Sequence, residues 1–160
     1  MYEVIVCPIK RLYDYALDGD MSEVAVVATS SYEINQDKLN GFYNTLCIHF
    51  DDITDEKNPK AFNLAIADKI ADFVKRLPKE LDSLFVCCDS GESRSSAFAA
   101  AISRYNGLDE ISIWKNPHYH PNPLVYRLLS NALGVEVSKE EVENKLKINQ
   151  KAFSDAIKNS

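Results

Sequence analysis

The chain has 160 residues, of which 46% are apolar and 26% charged, and its formal net charge is −6. A chain of this length is expected to form one domain, residues 1–160, that buries enough surface to fold without a disulfide or a metal. Residues 1–60 carry five basic and eleven acidic side chains, and residues 61–160 carry thirteen of each, so no basic stripe exists and the charge pattern argues against nucleic acid or a membrane surface as partners.

Four short segments rich in β-branched and apolar residues are predicted to be strands: about Glu3–Val6, Val24–Ala28, Thr45–Phe50 and Leu84–Cys88. The second and the fourth are almost continuously apolar, which is typical of strands that are buried on both faces of a sheet. We therefore expect other elements to cover this sheet on both sides.

The segment after the third strand predicts a helix. Asn58 and Pro59 supply an N-cap and a first helical residue, and Pro78 marks the end of the helix. The apolar positions recur with helical spacing, and they are Phe62, Ile66, Ile70, Phe73 and Leu77. Such spacing indicates a helix with one buried face.

Three further helices are predicted after the fourth strand. An alanine-rich one spans about Ser93–Asn106 and ends at Gly107, Asn122-Pro123 opens another, and Ser138 begins the last with a capping box. Alternating strands and helices favour an α/β fold, a three-layer domain with a central, mostly parallel sheet of four to five strands flanked by helices.

The stretch from Leu84 to Ser95 reads as a buried strand, a short loop and the start of a helix. In open α/β sheets such loops face the crevice at the carboxyl ends of the strands. The helix N-terminus adds unpaired N–H groups and a partial positive charge. An oxyanion is therefore expected to bind in this loop.

Cys88 and Arg94 bracket the loop, with Gly91 between them and Ser95 after the arginine. This pattern resembles the C-x5-R-[ST] signature of the protein tyrosine phosphatase superfamily, and the chain is similar to the dual-specificity phosphatases. The resemblance implies a phosphotyrosine protein phosphatase-like fold and a metal-free reaction without a cofactor. Its expected partner is a phosphorylated protein or a small phosphomonoester, with phosphate, sulfate or vanadate as inhibitory oxyanions.

The resemblance also implies a role for each residue of the loop. Cys88 is the expected nucleophile, Arg94 clamps two phosphoryl oxygens, and the hydroxyl of Ser95 eases departure of the thiolate from the phosphocysteine intermediate. A neighbouring arginine and a helix N-terminus favour the reactive thiolate form of a cysteine. The remaining phosphoryl contacts come from backbone amides, and the residues that bind phosphate are Asp89, Ser90, Gly91, Glu92, Ser93 and Arg94.

A second group must protonate the leaving oxygen, and an aspartate in a neighbouring loop can do this. In the dual-specificity phosphatases the acid follows a strand some thirty to forty residues before the nucleophile. Asp51, Asp52 and Asp55 follow the third predicted strand. Asp52 is the preferred candidate, with Asp51 and Asp55 as alternatives.

The loop departs from the family pattern in two ways. Cys87 stands where the family usually has histidine, and the acidic Asp89 and Glu92 would disfavour very acidic substrates if they faced the pocket. Cys87 and Cys47 could trap an oxidised Cys88 as a disulfide. The competing interpretation is that both are small buried residues.

The other cysteine and histidine positions point to no metal centre. The four cysteines show no ligand spacing, and the pair His118 and His120 lacks a third ligand. Tyr119, His120 and Asn122 either border the pocket or have surface and packing roles. The N-terminus lacks a secretory leader and no apolar run reaches about 20 residues, so a cytoplasmic protein is predicted.

Three functions remain open at this point. The first is a cysteine-dependent phosphatase that hydrolyses phosphotyrosine esters, with phosphoserine and phosphothreonine esters as further candidate substrates. The second is a rhodanese-like sulfurtransferase or an arsenate reductase, which also cradles an anion beside a cysteine. The third is a catalytically weak phosphate-binding pseudophosphatase.

Overall fold

The four predicted strands form a single sheet in the computed structural model, which describes all 160 residues. They are β1 (Glu3–Pro8), β2 (Val24–Ser30), β3 (Asn44–His49) and β4 (Ser83–Cys88), each within two residues of its predicted bounds. All pair in parallel, in the order β1-β4-β2-β3. The prediction of a parallel sheet is confirmed.

The two most apolar strands, β2 and β4, occupy the centre of the sheet, and every residue of β2 is buried. Successive side chains of a strand point to opposite faces. Ala25 and Val27 accordingly join a large core on one face, whereas Val26 and Ala28 join a smaller core on the other. Burial of these strands on both faces is confirmed.

Helices cover both faces and complete three layers. The smaller core receives Ile9 and Leu12 of α1 (Ile9–Asp18) and Leu39 of a short 3-10 helix. The larger core receives side chains from the remaining helices, which are α2 (Leu64–Lys75), α3 (Arg94–Tyr105), α4 (Ile111–Trp114), α5 (Pro123–Ala132) and α6 (Lys139–Lys158). No helix combines the length and apolar character needed to cross a membrane.

The start predicted for the helix after β3 is wrong. The side chain of Asn58 accepts a hydrogen bond from Lys60 N at 2.9 Å within a turn, and the true N-cap is Asn63, which accepts from Ile66 N at 3.0 Å. Phe62, placed on the helical stripe, precedes the helix and is fully buried against Phe50, with ring centroids 4.9 Å apart. Because Phe62 packs into the core, the helix begins later in the chain than predicted, at Leu64.

The ends of the strands position the candidate site. The chain leaves β4 towards α3 on the large-core face, whereas it leaves the neighbouring β1 towards α1 on the other face. Connections that diverge in this way open a crevice at the carboxyl edge of a parallel sheet. The loop after Cys88 lies at this point.

Candidate active site

Cys88 is the last residue of β4, and only 1% of its surface is exposed. Residues 89–93 form the loop, and α3 begins directly afterwards at Arg94. The Cys88 Sγ atom lies 3.0 Å from the Oγ atom of Ser95, a buried residue in the first turn of α3. The structure therefore brings the predicted nucleophile and its predicted hydroxyl partner into hydrogen-bond distance.

Gly91 allows the loop to turn against the end of β1. Its φ is +72°, a conformation that side chains rarely adopt. A Cβ atom at this position would lie 2.9 Å from Pro8 N and 3.1 Å from Pro8 Cδ. The loop thus depends on glycine both for its backbone conformation and for its approach to β1.

Arg94 is 6% exposed, and its guanidinium is held by residues that follow β2, β3 and β4. Nη1 donates to the carbonyl oxygen of Phe50 at 2.7 Å and to Ser31 Oγ at 3.3 Å, and Nη2 donates to Asp89 Oδ2 at 2.9 Å. These contacts fix the Arg94 guanidinium beside the loop.

The Asp89 carboxylate faces Arg94 and the end of β2. It accepts hydrogen bonds from Ser30 Oγ and, at 3.2 Å, from Ser31 N, in addition to the Arg94 contact. Partial burial opposes ionisation, but these hydrogen bonds and the arginine charge outweigh it and lower the pKa of Asp89. The charge of Asp89 is thus paired, whereas the Glu92 side chain is exposed.

Asp52 is the one predicted acid whose side chain contacts the loop. Its Oδ1 atom accepts hydrogen bonds from Ser93 Oγ and from Asn122 Nδ2, both at 2.8 Å. The Asp55 carboxylate instead accepts from Lys57 N in a turn, and the Asp51 side chain makes no hydrogen bond although its backbone N–H donates to Lys60. This placement favours Asp52 over the two alternatives.

The segment before α5 borders the loop, as one of the two sequence interpretations expected. His120 N donates to the carbonyl oxygen of Glu92 at 2.9 Å, and Asn122 N donates to that of Ser93 at 3.2 Å. Sequence reasoning identified Asn122 as a helix N-cap but did not foresee its contact with Asp52. The two residues are 70 positions apart, so no local sequence pattern indicates that their side chains meet.

Cys87 belongs to the small core and not to the pocket. Its Sγ atom lies 3.0 Å from Cys7 Sγ on β1, and Cys47 packs against the same core. Burial raises the pKa of the Cys87 thiol well above its ordinary value. Successive side chains of β4 point to opposite faces, so this placement favours the packing interpretation over a disulfide with Cys88.

No cluster of three or more histidine, cysteine, aspartate or glutamate side chains is arranged to hold a metal ion. His118 and His120 lie in the turn before α5, and the imidazole of His120 packs against the ring of Phe153 with centroids 5.2 Å apart. His49 Nδ1 lies 3.1 Å from the carbonyl oxygen of Ser30. These histidines therefore have packing and backbone contacts.

Comparison with solved structures identifies the fold. Human DUSP28 superposes with a TM-score of 0.50 at 15% sequence identity, over 98% of this chain and 95% of that chain. The chain has the fold of a dual-specificity phosphatase. Tk-PTP, solved in its active form, matches with a TM-score of 0.47 at 19% identity, over 92% and 90% of the two chains. No protein-family model and no curated protein matches the sequence.

Proposed function

We propose that this chain is a cysteine-dependent phosphatase that hydrolyses phosphate monoesters through a phosphocysteine intermediate. The observation that carries the proposal is the 3.0 Å separation of Cys88 Sγ and Ser95 Oγ at the base of a loop that ends in a fixed arginine. The phosphatase-like fold supports it. The substrates would be phosphotyrosine in proteins, with phosphoserine and phosphothreonine as further candidates, or small phosphomonoesters.

In the first step the Cys88 thiolate attacks phosphorus. The bond to the leaving oxygen breaks, and Asp52 donates a proton to that oxygen. Arg94 binds the phosphoryl oxygens through a charge-assisted pair, and the amides of residues 89–94 with the N-terminus of α3 bind the rest. Fixed donors of this kind stabilise the charge that develops in the transition state.

In the second step water attacks the phosphorus of the phosphocysteine. Asp52, now a carboxylate, takes a proton from this water, the bond from sulfur to phosphorus breaks, and inorganic phosphate leaves. Ser95 donates a hydrogen bond to the departing Cys88 thiolate. Phosphate, sulfate and vanadate are expected to occupy the same loop as inhibitors, and the reaction needs no cofactor.

A sulfurtransferase, an arsenate reductase and a phosphate-binding pseudophosphatase remain the alternatives. Neither of the first two needs an aspartate at the edge of the loop, and a pseudophosphatase is expected to have lost the nucleophile or the acid, whereas Cys88 and Asp52 are both present. The contact of Asp52 with Ser93, 2.8 Å between Oδ1 and Oγ, therefore favours the phosphatase over all three.

The deciding experiment is hydrolysis of p-nitrophenyl phosphate in the presence of a metal chelator. We expect turnover that orthovanadate inhibits, and Cys88→Ser should lower kcat by at least about 1,000-fold because the nucleophile is lost. Cys47→Ser is the matched control, since Cys47 lies on β3 outside the loop, and it should retain activity. Turnover that survives in Cys88→Ser would contradict the proposed mechanism.

A further inference from the structure

Asn122 is 2% exposed, and its side chain uses all of its hydrogen-bonding capacity. Nδ2 donates to Asp52 Oδ1 at 2.8 Å and to the carbonyl oxygen of Ile53 at 3.2 Å. Oδ1 accepts from the backbone N–H groups of Leu124 and Val125 at 3.0 and 3.2 Å. One amide thus caps α5 and holds the loop that carries Asp52.

The backbone of Asn122 adds a third connection. Its N–H donates to the carbonyl oxygen of Ser93 at 3.2 Å, while Ser93 Oγ donates to the same Asp52 Oδ1 that Asn122 contacts. Asn122, Ser93 and Asp52 therefore form a closed triangle of hydrogen bonds. The triangle joins α5, the cysteine loop and the loop after β3.

The triangle leaves one oxygen of Asp52 available for chemistry. Both donors contact Oδ1, and Oδ2 accepts no hydrogen bond, so Oδ2 can carry a transferable proton. Asp52 is otherwise an exposed residue on an irregular segment. An acid must lie within hydrogen-bond reach of the oxygen that it protonates, and small displacements cost rate.

We propose that Asn122 is a positioning residue that holds Asp52 in register with the cysteine loop. This inference rests on the proposed function, because it takes Asp52 to be the general acid. Asn122 does not touch the substrate. It acts by restricting the Asp52 carboxylate to one orientation. Substitution of Asn122 should therefore lower kcat most for substrates whose leaving group depends most on protonation.

The test uses Asn122→Ser, because serine is a good N-cap and should preserve the start of α5 but is too short to replace the amide contact with Asp52. The matched control is Asn63→Ser. Asn63 caps α2 through Ile66 N and has no contact with Asp52. Asp52→Asn serves as the reference for complete loss of the acid.

The kinetic readout compares phenyl phosphate, a poor leaving group, with p-nitrophenyl phosphate, a better one. We expect Asn122→Ser to lower kcat on phenyl phosphate by about tenfold or more and on p-nitrophenyl phosphate by less than about threefold. For Asp52→Asn the difference between the losses of kcat on the two substrates should be larger. Asn63→Ser should change neither by more than about twofold. Equal losses on both substrates, or no loss, would overturn the inference.

Hydrogen exchange of residues 51–54 gives a readout that does not depend on turnover. We expect faster exchange of these amides in Asn122→Ser than in wild type or Asn63→Ser. If wild type hydrolyses neither ester, the proposed function fails, and the catalytic role of Asn122 fails with it even when exchange is faster. If wild type is active but Asn122→Ser resembles Asn63→Ser in exchange and kinetics, only the positioning role is wrong.

Discussion

The position of Gly91 imposes two requirements that no other residue type meets. Its φ of +72° is one, and the distance of 2.9 Å from its missing Cβ to Pro8 N is the other. Gly107 has a nearly identical φ of +73° but open space around it. Substitution of both glycines by alanine therefore distinguishes the free-energy cost of a positive φ, which applies at both positions, from that of a steric clash, which applies only at Gly91.

We expect Gly91→Ala to lower the free energy of unfolding by about 2 kcal/mol or more, and Gly107→Ala by about 1 kcal/mol, since only the first adds a clash to the strain of positive φ. Urea unfolding of both variants measures the difference. Gly91→Ala should also lose the proposed phosphatase activity, because the amides of the loop move. Equal destabilisation of the two variants would show that contact with β1 does not constrain the loop.

The ion pair of Asp89 and Arg94 should make stability depend on pH. The lowered pKa of Asp89 means that its contribution is fully present above the ordinary aspartate pKa of about 4 and is lost as the pH falls below it. Wild type should therefore be more stable than Asp89→Asn near pH 6, and this difference should shrink towards pH 3. Urea unfolding across this range checks the prediction, and a constant difference would contradict it.

At the scale of elements, the sequence predicted those helix and strand bounds that nearby residues determine. The four strands, the end of α3 at Gly107 and the N-cap of α5 at Asn122 all follow from residues within a few positions. Two helices, α1 and α4, were not predicted from the sequence. Neither α1 nor α4 has an N-cap side chain that hydrogen-bonds its first turn, so no start signal marks them.

The start of α2 and the surroundings of Asp52 could not be predicted because tertiary contacts decide them. Burial of Phe62 against Phe50 extends the turn beyond Asn58 and moves the cap to Asn63. The choice between Asp51, Asp52 and Asp55 depends on where the loop after β3 meets Ser93 and Asn122. The order of the candidate acid and the candidate nucleophile could be predicted from the sequence, but the position of the loop after β3 relative to Ser93 and Asn122 could not.

A buried polar network joins the helices that carry the loop. Tyr126 on α5 donates to Glu110 Oε2 at 2.7 Å and accepts from Arg104 Nη1 on α3 at 3.2 Å, while Lys145 on α6 pairs with Glu110. Burial, followed by the hydrogen bond to Glu110, raises the pKa of Tyr126. The network joins α3, α5 and α6.

We expect Tyr126→Phe to lower the free energy of unfolding by about 1–3 kcal/mol, because it leaves the buried Glu110 carboxylate without one donor. The kcat for p-nitrophenyl phosphate should stay within about twofold of wild type, since Tyr126 has no contact with the loop. Tyr43→Phe, at a half-exposed tyrosine far along the chain, is the control and should be nearly neutral. A Tyr126→Phe variant as stable as Tyr43→Phe would show that the network contributes no net stability.

At the scale of the whole molecule, charge surrounds the candidate site unevenly. The excess acid of residues 1–60 includes Asp51, Asp52 and Asp55, none of which forms a salt bridge. Asp89 already balances the charge of Arg94. Because the Asp89–Arg94 pair carries no net charge, an anion is expected to be attracted only at short range, by the Arg94 N–H groups, the loop amides and the α3 N-terminus.

This charge distribution predicts a preference among phosphopeptides. Peptides with neutral residues beside phosphotyrosine should have a kcat/KM several-fold higher than peptides with acidic residues there, because the Asp51 and Asp55 carboxylates repel the latter. The difference should narrow as ionic strength rises from about 0.02 M to about 0.5 M, since salt screens exposed charges but not contacts inside the loop. A preference for acidic peptides, or a difference insensitive to salt, would mean that these carboxylates do not govern substrate approach.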